Sequence, residues 1–299
     1  MRPAIVCGID WSRHCWQALR LADALAARCG LRLTVLHVTS PAPESVQRER
    51  GERLHEGVRG ILGRADVPVT IDLGAPSERL VAASRRAALL VIGTQSRGSV
   101  RQALRGSVSA AATRRSACPV IVVPSKARHD SGIGLAATTV LCAARDERDL
   151  ACAATAACWA TDLGLSMIIA RAIEPAPMPA GVAIAAPPPV TPLTAAERRV
   201  AATDALQCLL TEVSGIAPDD LHARVVLGRP GRQLNKLALS ERASLIVVGP
   251  RRHGALHEAL LGSPVRHWLR RGPSPVMICP RTTAALLADN AIRRTTPVR

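Results

Sequence analysis

Two tandem α/β domains are predicted for this chain, each an open, doubly wound sheet of five parallel strands with helices on both faces. The second half repeats the glycines and apolar segments of the first, at an offset of 134 positions upstream and 154–156 positions further along, where a longer loop has been inserted. Short apolar runs bounded by turn residues alternate with helical patterns in each half, which is typical of a parallel sheet. The composition, 48% hydrophobic and 21% charged over 299 residues, is that of folded domains.

The repeat is clearest in VIGTQSRGSVRQALRGSVS at 91–109, which returns as VVGPRRHGALHEALLGSPV at 247–265. The matched residues, each pair 156 positions apart, are Gly93 and Gly249, Gly98 and Gly254, Gly106 and Gly262, and Ser107 and Ser263. CPVIVVP and SPVMICP keep the same offset. A tandem duplication follows, with a first domain at 1–126, a linker at 127–137, a second domain at 138–281 and a tail at 282–299.

The elements of the first half follow from its apolar runs and turn residues. Strands are predicted near 4–9, 31–38, 67–72, 88–92 and 119–123, with helices in the gaps. Ser12 suits the N-cap of the first helix, because a serine oxygen can accept hydrogen bonds from the first-turn N–H groups. Gly30 suits the left-handed residue after that helix, and Pro76 suits a first helical position. Right-handed crossovers would then cover both faces of the sheet.

The net charge of +16 comes almost wholly from arginine, since the only lysines are Lys126 and Lys236. The arginines are spread along both halves, and there are four Trp but no Phe or Tyr to act as stacking platforms. Nucleic acid is therefore not the expected partner, although a polyanion-binding adaptor stays open as an alternative.

Membrane, secretion and metal signals are weak throughout the sequence. The longest weakly polar stretch, at 132–144, is shorter than the roughly 18 residues of a spanning helix, and no signal-peptide pattern follows Arg2. Nine cysteines form no CxxC pair, which indicates buried thiols in a reducing compartment. His253, His257 and Glu258 have helical spacing but lack a third ligand, so no metal site is expected. We expect a cytoplasmic protein.

The glycine loop after the fourth strand excludes several kinds of site. Ser99 stands where a Walker A loop needs lysine, and the glycines lie after the wrong strand for a dinucleotide fingerprint. Ser96 lies three residues after Gly93, so no GxSxG nucleophile turn exists. A helix start at Gly106 and Ser107 would still present unpaired N–H groups to an anion, and neighbouring arginines could add charge.

The loop spacing resembles the GxxGx9G[S/T] signature of universal stress proteins, and the likeness covers both halves. It includes the aspartate after strand one in IVCGIDWS, the LHV end of strand two and the PVIVV edge strand. The resemblance implies a Rossmann-like fold and ATP, with or without Mg²⁺, held by adenine- and ribose-binding residues and a phosphate cradle. The candidate residues in the first half are Asp10, Ser12, Val38, Gly93, Ser96, Arg97, Gly98, Gly106, Ser107 and Val108.

The second half departs further from the signature. Its weaker candidates are Gly249, Arg252, Gly262 and Ser263. Counting nine residues back from the third glycine gives Ser96 in the first half and Arg252 in the second, where the signature has glycine. The residue of the second half that corresponds to Asp10 in the repeat is Ala144 or Arg145. We therefore expect one competent or half-competent site per chain.

The expected function is binding of ATP or a related adenine nucleotide, mainly in the first domain, by a nucleotide-responsive stress or signalling protein. The alternative is a stress scaffold or interaction module without nucleotide, if Ser96 and Arg252 disable the loops. A slow ATPase is a third choice, since no general base, activated nucleophile or metal-ligand set accompanies the loop. The two domains are expected to pair within the chain through their fifth strands, as a pseudo-dimer, and homodimerisation is left open.

Overall fold

The computed structural model describes residues 4–94, 108–124, 138–174, 194–249, 263–272 and 274–280. The predicted linker at 127–137 and tail at 282–299 lie outside the described residues. So do seven of the candidate residues in the glycine loops, five in the first half and two in the second: Ser96, Arg97, Gly98, Gly106, Ser107, Arg252 and Gly262.

Ten strands form one continuous sheet among the described residues. They are β1 (Ala4–Ile9), β2 (Arg32–Thr39), β3 (Val69–Leu73), β4 (Ala87–Gly93), β5 (Val120–Val123), β6 (Thr139–Ala143), β7 (Ser166–Ile173), β8 (Leu221–Leu227), β9 (Ala243–Val248) and β10 (Val276–Ile278). The helices are α1 (Arg13–Cys29), α2 (Glu44–Leu62), α3 (Pro76–Ser84), α4 (Val108–Arg115), α5 (Leu150–Leu163), α6 (Ala195–Val213), α7 (Pro230–Ser240) and α8 (Ser263–Arg271). A short 3₁₀ turn, Glu147–Asp149, precedes α5.

Each half is a doubly wound parallel sheet, which confirms the predicted fold class. The strand order is β3-β2-β1-β4-β5 in the first half and β8-β7-β6-β9-β10 in the second. One core layer contains Leu19 of α1 and Leu54 of α2, and the layer on the other face contains Leu80 of α3 and Ala112 of α4. This division of the helices is what right-handed crossovers require when the chain reverses direction after β3.

The two halves meet edge to edge. β5 pairs antiparallel with β10, with Val122 opposite Val276 and Val120 opposite Ile278. The first core layer also crosses this boundary, because α1 packs beside α5 and the Arg28 guanidinium donates to the Leu163 carbonyl. Each apolar edge strand thereby gains a partner, which removes an exposed edge that could pair with other chains.

The helix ends agree with the sequence predictions except at Ser12. Gly30 has φ +62° after α1, and Pro76 opens α3, as predicted. Ser12 is at the N-cap of α1, but its side chain makes no capping hydrogen bond. Asp10 instead accepts from the Ser12 backbone N–H, at 3.0 Å, where the chain turns into the helix. Within the described residues, no helix is both long and apolar enough to cross a membrane.

Candidate functional site

The first-half candidates gather where the sheet changes winding direction. β1 lies between β2 and β4, and the crossovers on its two sides run over opposite faces. In open α/β sheets, ligands bind at the carboxyl ends of strands at such a point. The register pairs Ile9 with His37 and Gly8 with Ile92. Asp10 and Val38 therefore lie at one level of the sheet edge.

Asp10 is exposed at this edge, immediately after β1. One of its carboxylate oxygens accepts the Ser12 backbone N–H at 3.0 Å. A carboxylate that faces solvent at a strand end can accept hydrogen bonds from sugar hydroxyls. The same hydrogen bond to Ser12 also gives Asp10 a local structural role at the start of α1.

Gly93 ends β4 directly beneath the first turn of α1. A Cβ atom placed on Gly93 would lie 2.8 Å from the His14 carbonyl oxygen and 3.2 Å from the Cys15 backbone nitrogen. No side chain larger than hydrogen fits there without moving the helix. Packing alone therefore requires the first glycine of the loop signature, whether or not a ligand binds.

The predicted phosphate-binding loop is described only at its far end. Val108 is the first residue of α4 and is 37% exposed. Val38 is half-buried at the end of β2 and packs against the core layer that contains α3. The structure thus brings Asp10, Ser12, Val38 and Gly93 to one sheet edge, and the remaining loop candidates stay predictions.

The sequence analysis missed a group of side chains beside Asp10. The Trp11 indole Nε1–H donates to His37 Nε2 at 3.3 Å, and His37 Nδ1 lies 2.8 Å from the Ile9 carbonyl oxygen. Because a carbonyl oxygen only accepts, Nδ1 carries the imidazole proton and Nε2 is the acceptor. The indole also lies perpendicular to the Trp16 ring, with centroids 6.1 Å apart, and the Arg53 guanidinium carbon is 5.9 Å from its centroid.

Trp11 has a backbone φ of +63° and is 38% exposed. The left-handed region costs a non-glycine residue about 1–2 kcal/mol, so the surrounding contacts have to hold the backbone there. The signal that could have found this residue is compositional: a tryptophan directly follows Asp10 in a chain with four Trp and no other aromatic side chains except histidine.

The residue that corresponds to Asp10 in the second half carries the opposite charge. Val140 pairs with Leu245 as Ile5 pairs with Leu89, so the strand register puts Arg145 at the position of Asp10. This decides between the two residues that the sequence left open. The Arg145 guanidinium and backbone N–H donate to the Asp149 carboxylate at 2.8–3.1 Å.

This ion pair fills the second-half edge. The Asp149 side chain is 1% exposed, and its Oδ1 would lie 2.8 Å from a Cβ atom on Gly249. The hydrogen bond to Asp149 is the main reason that the pKa of Arg145 is raised above its ordinary value. Ser263 opens α8, and the other two second-half candidates lie outside the described residues. The Asp149 carboxylate is therefore engaged by Arg145, and Asp146 accepts the Arg148 backbone N–H at 3.0 Å.

The nine cysteines are free thiols. Burial raises the pKa of Cys15 and that of Cys118 to about 11. Cys142 and Cys152 are buried with their sulfur atoms 3.9 Å apart, and this contact is the main reason that the pKa of Cys152 lies well above its usual value. Within the described ranges, no group of three or more His, Cys, Asp and Glu side chains has the arrangement of a metal site.

Fold and site together define a class of protein: a tandem pair of Rossmann-like α/β domains whose first strands are followed by different residues, Asp10 in the first half and Arg145 in the second. The model of the universal stress protein family matches residues 1–124 and 138–280. The chain belongs to the universal stress protein family.

The chain is similar to named members of that family along most of its length. It is 28% identical over 304 residues to a universal stress protein of Mycobacterium tuberculosis, an alignment that covers 92% of this chain and 96% of the relative. A universal stress protein of Thermus aquaticus is 29% identical over 136 residues, covering 41% of this chain and 99% of its own.

A solved universal stress protein from Archaeoglobus fulgidus superimposes with a TM-score of 0.66 and 19% identity, covering 93% of this chain and 98% of its own. At that identity the likeness supports the fold alone.

Proposed function

We propose that the first half binds ATP or a related adenine nucleotide at the carboxyl edge of β1, β2 and β4, and that the protein acts as a nucleotide-responsive stress or signalling protein. The observation that carries this proposal is the exposed Asp10 carboxylate at the switch point, level with Val38 and next to the strand that ends at Gly93. The resemblance to the family assigns base and ribose to Asp10 and the backbone near Val38, and the phosphates to the loop that follows Gly93.

The residues of the first half fit such a ligand. Asp10 offers acceptor oxygens to ribose hydroxyls, and the exposed start of α4 at Val108 has the positive end of a helix dipole for phosphate. Ser12, Ser96, Arg97, Gly98, Gly106 and Ser107 complete the proposed set. Binding of the nucleotide, with or without Mg²⁺, would be the event to which the protein responds. No hydrolytic step is proposed for these residues.

One site per chain follows from the contrast between the halves. Arg145 replaces Asp10 in the second half, and Asp149 occupies the space above Gly249. Arg145 has no acceptor oxygen to offer a ribose hydroxyl at that position, and its guanidinium is already engaged by Asp149. We therefore propose that the second domain, 138–281, has a structural role, pairing through β10 with β5 of the first domain, 1–126, as an intrachain pseudo-dimer.

The test is the amount of nucleotide that the protein holds. The full chain is purified without added nucleotide and denatured, and released small molecules are identified by chromatography. ATP binding is then measured by calorimetry on the emptied protein. We expect close to one equivalent per chain, and a stabilisation of about 2.7 kcal/mol at 100 times Kd.

Two variants make the test specific. Asp10→Ala should abolish binding and lower the free energy of unfolding by only about 1 kcal/mol, because the change is at an exposed position and removes the hydrogen bond to the Ser12 N–H. Asp204→Ala removes an exposed carboxylate from α6 in the second half and should bind like wild type. An empty wild-type protein that gains no stability from excess ATP would reject the proposal and favour the interaction module without nucleotide, for which Ser96 in place of a signature glycine is the supporting observation.

A further inference from the structure

Trp11 combines two features that packing alone does not explain. It holds a left-handed backbone, φ +63°, and it leaves 38% of a large aromatic side chain exposed next to Asp10. Strained backbones persist where surrounding contacts fix them, and they concentrate at ligand-binding sites. A strained, exposed tryptophan at the carboxyl edge of β1 therefore calls for a functional explanation.

The indole is held in one orientation from several directions. His37 accepts its N–H at 3.3 Å, and the Trp16 ring stands at 80° to it. Arg53, from α2, lies 5.9 Å from its centroid. Gly57 keeps this arrangement possible, because a Cβ there would be 2.9 Å from the Trp16 ring. A ring fixed in this way presents its exposed surface without a large loss of side-chain entropy on binding.

The second half serves as an internal comparison. By the strand register, the residue that corresponds to Trp11 is Asp146, and the one that corresponds to His37 is Arg171. Asp146 has φ −159°, which is ordinary extended backbone. The connection from β6 to α5 has six residues where that from β1 to α1 has three, so the tighter turn accounts for a left-handed residue in the first half. It does not account for a tryptophan there, because glycine adopts that backbone without steric cost. The strained tryptophan occurs only in the half that also has the Asp10 carboxylate.

We propose that Trp11 is the stacking surface for the base of the bound nucleotide. This inference rests on the proposed function, and it adds the residue that would recognise a flat heteroaromatic ring. The indole reaches from the residue after Asp10 to His37, the neighbour of Val38, and so it spans the ends of β1 and β2. An aromatic face binds any base by stacking, and the cation–π contact with the Arg53 guanidinium, 5.9 Å from the ring centroid, helps to hold the indole in place.

The experiment uses ATP, the full chain and three variants. Trp11→Phe keeps an aromatic face, and Trp11→Leu keeps apolar bulk but removes the π surface. Leu150→Ala is the matched control, since Leu150 is 37% exposed at the start of α5, just after the switch point of the second half. Calorimetry gives Kd for each protein, thermal melting checks folding, and tryptophan fluorescence is followed during the same titration.

The expected result is a saturable change in wild-type fluorescence with the calorimetric Kd. Trp11→Phe should bind within about threefold of wild type but lose most of that fluorescence change, and Trp11→Leu should raise Kd about tenfold, the effect of losing one base–aromatic stack. Leu150→Ala should leave Kd unchanged.

Two outcomes would overturn the inference while leaving the proposed function intact: wild-type affinity in Trp11→Leu, or a full fluorescence change in Trp11→Phe. The fluorescence result also decides the matter if Trp11→Leu does not fold. Failure of wild-type protein to bind ATP would instead reject the proposed function, and the stacking role with it.

Discussion

Replacing Gly93 by alanine should destabilise the protein even when no nucleotide is present. The added Cβ would lie 2.8 Å from the His14 carbonyl oxygen, 3.0 Å from the carbonyl carbon and 3.2 Å from the Cys15 nitrogen. All three atoms are backbone, so no flexible side chain can turn away. The first turn of α1 would have to retreat by about 0.6 Å to restore the 3.4 Å at which ordinary van der Waals contact begins.

That displacement has a calculable consequence for the core. α1 contributes fully buried side chains, including Leu19 and Ala22, to the layer over β1 and β4. A gap of 0.5–1 Å forfeits roughly a quarter to a half of the attraction at each affected contact. Overpacking of this kind lowers the free energy of unfolding by about 1–3 kcal/mol.

Urea unfolding followed by circular dichroism measures the effect on nucleotide-free protein. Gly60→Ala is the matched control, because Gly60 lies within α2 and nothing comes within 4 Å of its added Cβ. That substitution should stabilise the protein by about 0.5–1 kcal/mol, since alanine favours a helix over glycine. A Gly93→Ala midpoint equal to that of wild type would refute the steric reasoning.

Two further predictions concern the buried groups. Asp149→Asn should lower the free energy of unfolding by about 1–2 kcal/mol, because it weakens the charge-assisted hydrogen bonds to Arg145, whose side chain is 47% exposed and gains water in their place; a wild-type urea midpoint would contradict this. Stability should also fall as the pH rises from about 9 to about 11. Burial raises the pKa of Cys15 and Cys118 to about 11, so the unfolded chain loses these protons first. Thermal midpoints across that range test the prediction, and Cys118→Ala should make the decline shallower; a flat profile would reject it.

The sequence determined the local elements closely, because each depends on short-range patterns. The predicted strand at 4–9 is β1 as the structure has it, and the strand predicted near 67–72 is Val69–Leu73. Apolar runs with turn residues at their ends specify strands of this length wherever they stand in a chain. Because the second half repeats these segments, the same local patterns predicted the order of its strands along the chain.

The candidate site was predictable only in part. The acidic residue after β1 and the glycine after β4 stand out in sequence, and parallel strands bring their carboxyl ends to one edge. The reason that Gly93 is glycine did not stand out, because it depends on the His14 backbone, 79 positions earlier in the chain. Cytoplasmic localisation, homodimerisation and the domain boundaries stay predictions.

The sequence by itself determined the tandem α/β architecture, the strand positions and the presence of Asp10 in one half but not the other. Tertiary structure decided that Arg145 takes the Asp10 position with Asp149 as its partner, that β5 and β10 run antiparallel, and that Trp11 is fixed by His37 from the next strand. Periodicity and residue spacing reflect the local backbone conformation of a single segment. Contacts between distant segments depend on register and packing, which only the assembled sheet specifies.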